Sequence, residues 1–274
     1  MNKTILITGS TDGIGKLAAI KLAKNGHHMY LHGRNSEKLA NVISEVKETS
    51  GNSHIDGFVA DFSDMQEVKN MANRINSKLL KIDVLINNAG IFKSPLDKTK
   101  DSLDIRFAVN YFAPYVLTNA LLPLIKKGED SRVVNLSSAA QTTVRIGALN
   151  GQATVNVSEA YAQSKLALTM WSFHLAKQLS EVSVIAVNPG SLLNTRMVAE
   201  AYGQHWSPAD KGASILYELA VSNDYKGITG KYFDNDKGSP KGNFGPAHAD
   251  AYKHNLIEKL ILDTNTILSN LKID

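Results

Sequence analysis

Tyr161 and Lys165 stand four residues apart in a stretch of helical spacing, so they share one helix face a turn apart. A phenol keeps its proton to about pH 10 and is a poor acid or base at neutrality. An ammonium one turn away favours the phenolate and makes the pair a usable proton donor and acceptor. The spacing alone is common on helices. A second stretch opens the chain: residues 3–15 read KTILITGSTDGIG, an apolar run that stops at a turn with three glycines and resumes at helical spacing through Leu17, Ala18, Lys21 and Leu22. Glycines permit positive φ and close backbone approach, and the unpaired amides of a helix N-terminus point at an anion. Such a turn suits a diphosphate; a strand-to-helix turn with no ligand is the alternative.

The elements that would position these residues alternate along the chain. Ile5, Leu6 and Ile7 predict a strand buried on both faces, because the apolar run is continuous rather than alternating. Residues 27–32, 54–60, 82–86, 132–136, 182–187 and 229–233 predict six further strands. Helices are expected from a Ser36 cap to residue 50, from Asp64 to about 77, from about 102 to 126 with a kink at Pro114, and over 158–179. An amphipathic helix through Leu256, Ile257, Leu260 and Ile261 is expected in the tail, about 248–271. Residues 139–157 have no clear period and predict a loop or small hairpin; 189–208 predict an irregular excursion. Strands and helices at this spacing imply an α/β fold with a parallel sheet and right-handed crossovers. Nothing divides the chain, so one domain over 1–274 is expected, its cofactor half about 1–150.

Composition narrows the function classes. The chain has 274 residues, 43% hydrophobic and 20% charged, as a globular protein with a sizeable core would. Its net charge of +4 is scattered among acids, with no basic cluster interleaved with aromatics, so nucleic acid is not an expected partner. Cysteine is absent, which excludes disulfides and thiolate metal sites and suits a reducing cytosol. His28 and His32 share a strand face without carboxylates or cysteines at ligand spacing, so no metal is expected. No leader precedes Lys3 and no apolar run approaches a membrane span, so the expectation is a soluble cytoplasmic protein without membrane contact.

Five stretches in order, TGSTDGIG at 8–15, NNAG at 87–90, VNLSS at 134–138, YAQSK at 161–165 and NPG at 188–190, make the sequence resemble a short-chain dehydrogenase/reductase over nearly its whole length. The resemblance implies a single doubly wound (Rossmann) domain with a seven-stranded parallel sheet, a nicotinamide dinucleotide, and oxidoreduction of a carbonyl or alcohol. It implies a catalytic set of Asn110, Ser138, Tyr161 and Lys165. Ser138 matches the serine that bonds the substrate oxygen, with Ser137 the less favoured candidate. Tyr161 matches the general acid of reduction, and Lys165 the lysine that lowers its pKa and holds the nicotinamide ribose. Asn110 matches the asparagine that kinks the long helix and supports a water leading protons to the lysine. For the cofactor, the resemblance places Gly9, Ser10, Thr11, Gly13, Ile14 and Gly15 at the diphosphate and Asp61 and Phe62 at the adenine. It places Asn87, Ala89 and Gly90 at the adenosine ribose and Pro189, Gly190, Leu192 and Thr195 over the carboxamide. It also implies a homodimer or homotetramer that pairs the long helices of Asn110 and Tyr161.

The end of the second strand bears on cofactor choice. A carboxylate there would bond a ribose 2′-hydroxyl, whereas an arginine can pair with a 2′-phosphate. The sequence has Gly33, then Arg34, with Asn35 as a further donor, which favours NADP(H); NAD(H) stays possible, with Arg34 stacking on the adenine. Two features depart from the family pattern. Position 194, where the carboxamide threonine is expected, is Asn, and Thr195, one later, is the candidate, with Asn194 as a helix cap the alternative reading. The gap from Ser138 to Tyr161 is 23 residues, which resembles the retinol dehydrogenase-like members; a simple surface insertion is the alternative. Met197, Val198, Tyr202 and Trp206 lie where the family has a mobile lid, and could clamp an apolar ligand or pack a short helix. A dinucleotide-binding sensor without turnover is the reading from another class, opposed by the retention of serine, tyrosine and lysine.

Overall fold

Ile5 and Ile7 point to one face of the sheet and Leu6 to the other, and all three are fully buried. Val84 and Ile86 divide in the same way from Leu85, and Val134 from Val133. Continuous apolar strands therefore feed two cores, one on each side of a covered sheet. The computed structural model describes residues 2–238 and 242–273, with only the backbone described for Tyr202. Among these, β1 (Thr4–Ile7), α1 (Gly13–Lys24), β2 (His28–Gly33), α2 (Ser36–Ser50), β3 (Ile55–Val59), α3 (Met65–Lys78) and β4 (Val84–Asn87) follow one another as expected. After α4 (Ile105–Ile125) come β5 (Ser131–Leu136), a short α5 (Ile146–Leu149), α6 (Val157–Gln178) and β6 (Val182–Asn188). The chain ends with α7 (Arg196–Tyr202), α8 (Ala209–Val221), β7 (Lys231–Asp234), β8 (Asn243–Gly245) and α9 (His254–Asn270).

The strand order is β3-β2-β1-β4-β5-β6-β7-β8, the first seven parallel and β8 antiparallel to β7. The expected sheet of seven parallel strands thus gains an antiparallel edge of three residues, too short to show a period in sequence. The order reverses between β1 and β4, and the crevice at the carboxyl ends of these strands is where a doubly wound fold receives its ligand.

Three local readings are corrected. Asn35, not Ser36, caps α2, its side chain accepting from Lys38 N. The irregular stretch of α4 is a π turn over Ala108–Phe112, in which Ala113 N donates to Ala108 O; Pro114 follows it and has no N–H to give the carbonyl of Asn110. α4 is also long and apolar enough to cross a membrane, contrary to expectation, but most of it is buried in the core.

Candidate active site

The glycine turn is built by packing against the NNAG segment. Asn88 Nδ2 donates to Thr8 O and Gly9 O, both at 2.8 Å, and Thr8 Oγ1 accepts from the amides of Asn88 and Ala89, both at 3.0 Å. A Cβ on Gly9 would lie 2.7 Å from Ala89 Cα, and one on Gly15 2.4 Å from Asn88 Nδ2, so only glycine lets the two segments nest. His32, buried at the end of β2, fixes the first glycine from below: Gly9 N donates to its Nδ1 at 3.0 Å, and its Nε2 donates to Ala60 O at 3.0 Å. Burial lowers this imidazole to about 4, which keeps it neutral and able to accept. Asp12 caps α1 through Gly13 N at 2.8 Å. Among the described residues nothing accepts from the amides of Ile14 and Gly15, which leaves first-turn donors for an anion. The cradle fits a dinucleotide diphosphate.

Some expected cofactor residues face away from that cradle. The Ser10 hydroxyl is fully buried, donating to Ile7 O and accepting from His32 N. The Phe62 ring is stacked on His32 at 4.1 Å rather than presented at the surface. Asn87 is buried and donates to Asn135 Oδ1 at 2.7 Å and Thr118 Oγ1 at 2.9 Å, tying β4 to β5 and α4. These three side chains are turned into the protein, away from the open side of the turn. Asp61 Oδ1 accepts from Ser63 N, while Arg34 and Asn35 are exposed at the rim. Thr11 packs so closely on Gly33 that a Cβ there would meet its Cγ2 at 2.4 Å, which is why the strand end carries no side chain.

Lys165 is the pivot of the second cluster. Only 4% exposed, it donates from Nζ to Leu136 O at 2.7 Å, and burial pulls its ammonium down to about 7. That bond ties α6 to the end of β5, two residues before Ser138, and Nζ lies 5.6 Å from the centre of the Tyr161 ring. Gly90 closes over both Lys165 Nζ and Asn110 Oδ1, which would be 3.4 and 3.2 Å from a Cβ. The Asn110 side chain clamps the segment after β4, accepting from Ile91 N and donating to Ile91 O, and reaches Ser164 Oγ at 3.0 Å. Phe92, next in the chain, packs edge-on against Tyr161 with ring centres 5.0 Å apart. Burial separates the two serines. Ser137 is spent inside, on Lys165 O and Thr169 Oγ1, whereas the hydroxyl of half-buried Ser138 accepts from Ala140 N and its carbonyl is held by Tyr232 Oη at 2.9 Å.

The segment after β6 carries the remaining expected residues. Asn235 holds Pro189 O, Gly190 adopts φ 121°, and Leu192 adopts φ 48°, a conformation L-residues rarely take. Thr195, not Asn194, is the cap of α7, accepting from Val198 N, and its methyl lies against Gly13 of the turn. Trp206 is 75% exposed and clamps nothing; Met197 and Val198 are half-buried, and the side chain of Tyr202 lies outside the described residues. The long insertion is a folded piece. Lys98 Nζ bonds Gly151 O, Arg145 N bonds Gln163 Oε1, and Thr143 Oγ1 bonds Asp250 Oδ2. Behind it a cavity of about 110 Å³ is lined by apolar Val144, Leu149, Met170 and Leu260 and by charged Asp250 and Asp263, with Met170 about 13 Å along α6 from Tyr161. His32, Asn88, Phe92 and Tyr232 were not anticipated. Only Asn88 had a signal, its place inside NNAG.

Comparison with known proteins agrees with this geometry. A family model described as short chain dehydrogenase matches residues 3–205. Human polyprenol dehydrogenase is 32% identical over 258 residues, covering 86% of this chain and 78% of that protein. Retinol dehydrogenase 12 of Mus musculus is 33% identical over 247 residues, with the same coverage of 86% and 78%. The crystal structure of a short chain dehydrogenase from Shigella flexneri complexed with NADP superposes with a TM-score of 0.68 at 30% identity, covering 86% of this chain and 98% of that one.

Proposed function

The chain belongs to the short chain dehydrogenase family of oxidoreductases, and we propose that it uses NADP(H) to interconvert a carbonyl and a primary or secondary alcohol on a lipophilic substrate. The observation that carries this reading is the buried Lys165, tethered to the end of β5 and one turn from Tyr161. When bound, the nicotinamide supplies or accepts the hydride. The first-turn amides of α1 would hold the diphosphate, Arg34 a 2′-phosphate, and Lys165 the nicotinamide ribose. In reduction, Ser138 Oγ donates to the carbonyl oxygen and positions it, and Tyr161 Oη gives that oxygen its proton as the alcohol forms. The Lys165 ammonium, costly to keep charged in its buried site, is best stabilised when the tyrosine beside it carries the negative charge. Oxidation runs the same transfers backwards. Phe92 packs against the tyrosine ring, and Asn110 reaches the tyrosine's helix through Ser164, whose Oγ donates to Tyr161 O.

The lipophilic class is supported by relatives named for polyprenol and retinol, and by the long gap between Ser138 and Tyr161. A cytoplasmic location belongs to the same proposal, supported by the burial of α4, and fractionation of cells checks it. The test of activity is NADPH and NADH consumption with retinoid, prenyl and small aldehydes and ketones. Turnover with NADPH, lost in Tyr161→Phe while NADPH still binds, is the expected result; undiminished turnover in that variant would remove Tyr161 from the acid's role. Arg34→Ala should weaken NADPH and spare NADH. Equal losses for both would defeat the phosphate argument.

A further inference from the structure

Asp12 places a carboxylate inside the turn that is to receive a diphosphate, an unusual position for a negative charge. One of its oxygens caps Gly13 N and the other lies 2.9 Å from Lys38 Nζ. Lys38 sits in the first turn of α2, four residues after Arg34, and its own amide is held by Asn35 Oδ1 at 2.7 Å. The Asp12–Lys38 pair therefore spans from the glycine turn to the start of α2, across the strand end where Thr11 presses on Gly33 and Arg34 emerges. This is the place where a ribose 2′ substituent is read. We propose that Lys38 is a second cation for the 2′-phosphate beside Arg34, and that Asp12, its ion-pair partner, limits how strongly the phosphorylated cofactor is preferred. The inference rests on the NADP(H) reading above.

Three features support it. Both partners are about half exposed, at 47% and 58%, and an ion pair in water is weak and exchangeable. A phosphate carries more charge than a carboxylate and accepts charge-assisted bonds from several sides, so it outcompetes Asp12 for the ammonium. The Asp12 carboxyl is held below its usual range by the Lys38 hydrogen bond and by Gly13 N, against its own burial, so it is ionised at neutral pH and repels the incoming phosphate. Arg196 of α7 adds a more distant positive charge, and Glu37, exposed in the first turn of α2, a negative one. Asp12 has another duty as a cap, which serine or asparagine performs equally well without the charge. Cap and charge can therefore be separated.

Dissociation constants for NADPH and NADH, measured by titration calorimetry on the full chain, on Lys38→Met and on Asp12→Ser, test the assignment. Lys38→Met should weaken NADPH roughly tenfold and leave NADH within about twofold. Asp12→Ser should tighten NADPH roughly fivefold, again with little change for NADH, and should steepen the loss of NADPH affinity with salt. Asp12→Asn gives the same readout should the serine variant fold poorly. An NADPH-to-NADH ratio indifferent to both substitutions would overturn the pair's role while leaving the cofactor reading intact. A parent chain that binds neither nucleotide would overturn both.

Discussion

A lysine buried to 4% exposure is a liability for the fold, and Lys165 shows how the site is maintained at a cost in stability. Its folded pKa of about 7 lies below the ordinary lysine value of 10.5, so between these values the unfolded chain holds the extra proton. Stability therefore rises with pH across that window, and the full penalty applies below it. Lys165→Met should abolish turnover yet gain stability over the parent, most at pH 6 and least above pH 10. Thermal unfolding of both chains across this range checks it, and parallel curves would show that the lysine is not desolvated. The serines separate on the same principle. Ser138→Ala should cut turnover at least tenfold with an unchanged melting temperature. Ser137→Ala, which strips buried bonds to Lys165 O and Thr169, should cost about 1 kcal/mol of stability. The positions of Tyr161, Lys165 and Ser138 were legible because their motifs fall on a helix and at a strand end that the apolar pattern also locates. Side-chain direction was not: Ser10, Phe62 and Asn87 sit at the expected positions but face inward, since a turn or strand end with no period gives no sign of which side is buried.

At the level of elements, apolar runs and glycine or serine punctuation located the first seven strands and the long helices between the first six. The misses share a cause. β8 has three residues, and α8, over Ala209–Val221, was left unassigned because it follows an irregular excursion with only Pro208 as its start signal. The kink in α4 was placed at Pro114 by its chemistry, but the distortion spreads over the π turn before it. Connections matter as much as elements, and Asp83 carries one. Fully buried ahead of β4, it accepts from Thr4 N and Glu129 N, both at 2.7 Å, and meets Lys81 at 3.1 Å. Burial alone would raise this carboxyl, but the amides of Glu129 and Thr4 and the Lys81 ammonium outweigh it and hold it below the ordinary 3.8. Its contribution is therefore present above that value and lost as pH falls through the lowered one. Asp83→Ala should shift the urea midpoint down by about 2 kcal/mol in stability at pH 7, with an unchanged slope. The difference from the parent should shrink as the pH falls below the ordinary carboxylate value of 3.8.

The whole molecule is shaped by its carboxy-terminal helix. The family resemblance implies pairing between subunits through the helices of Asn110 and Tyr161, yet α9 lies across both of them within one chain. Tyr111 Oη is 2.7 Å from Thr264 Oγ1, Tyr115 Oη donates to Asn265 Oδ1 at 2.6 Å, and His174 meets Glu258 at 3.4 Å. Ile257, Leu260 and Leu268 are buried in the shared core, so the tail closes its own subunit. The outward positions His254, Asn255, Lys259, Thr266, Ser269 and Asn270 are polar and exposed, with Leu262 the single large apolar exception among the described residues of the helix. A second copy docking on α9 would desolvate those groups for little apolar gain, and one docking beneath it would have to expel Leu260 and Leu268 from the core. Light scattering is therefore expected to give the mass of one chain, 29.8 kDa, at micromolar concentration. A dimer that persists in Leu262→Lys would place the partner on another surface, and a dimer lost in that variant would show that α9 itself is the interface.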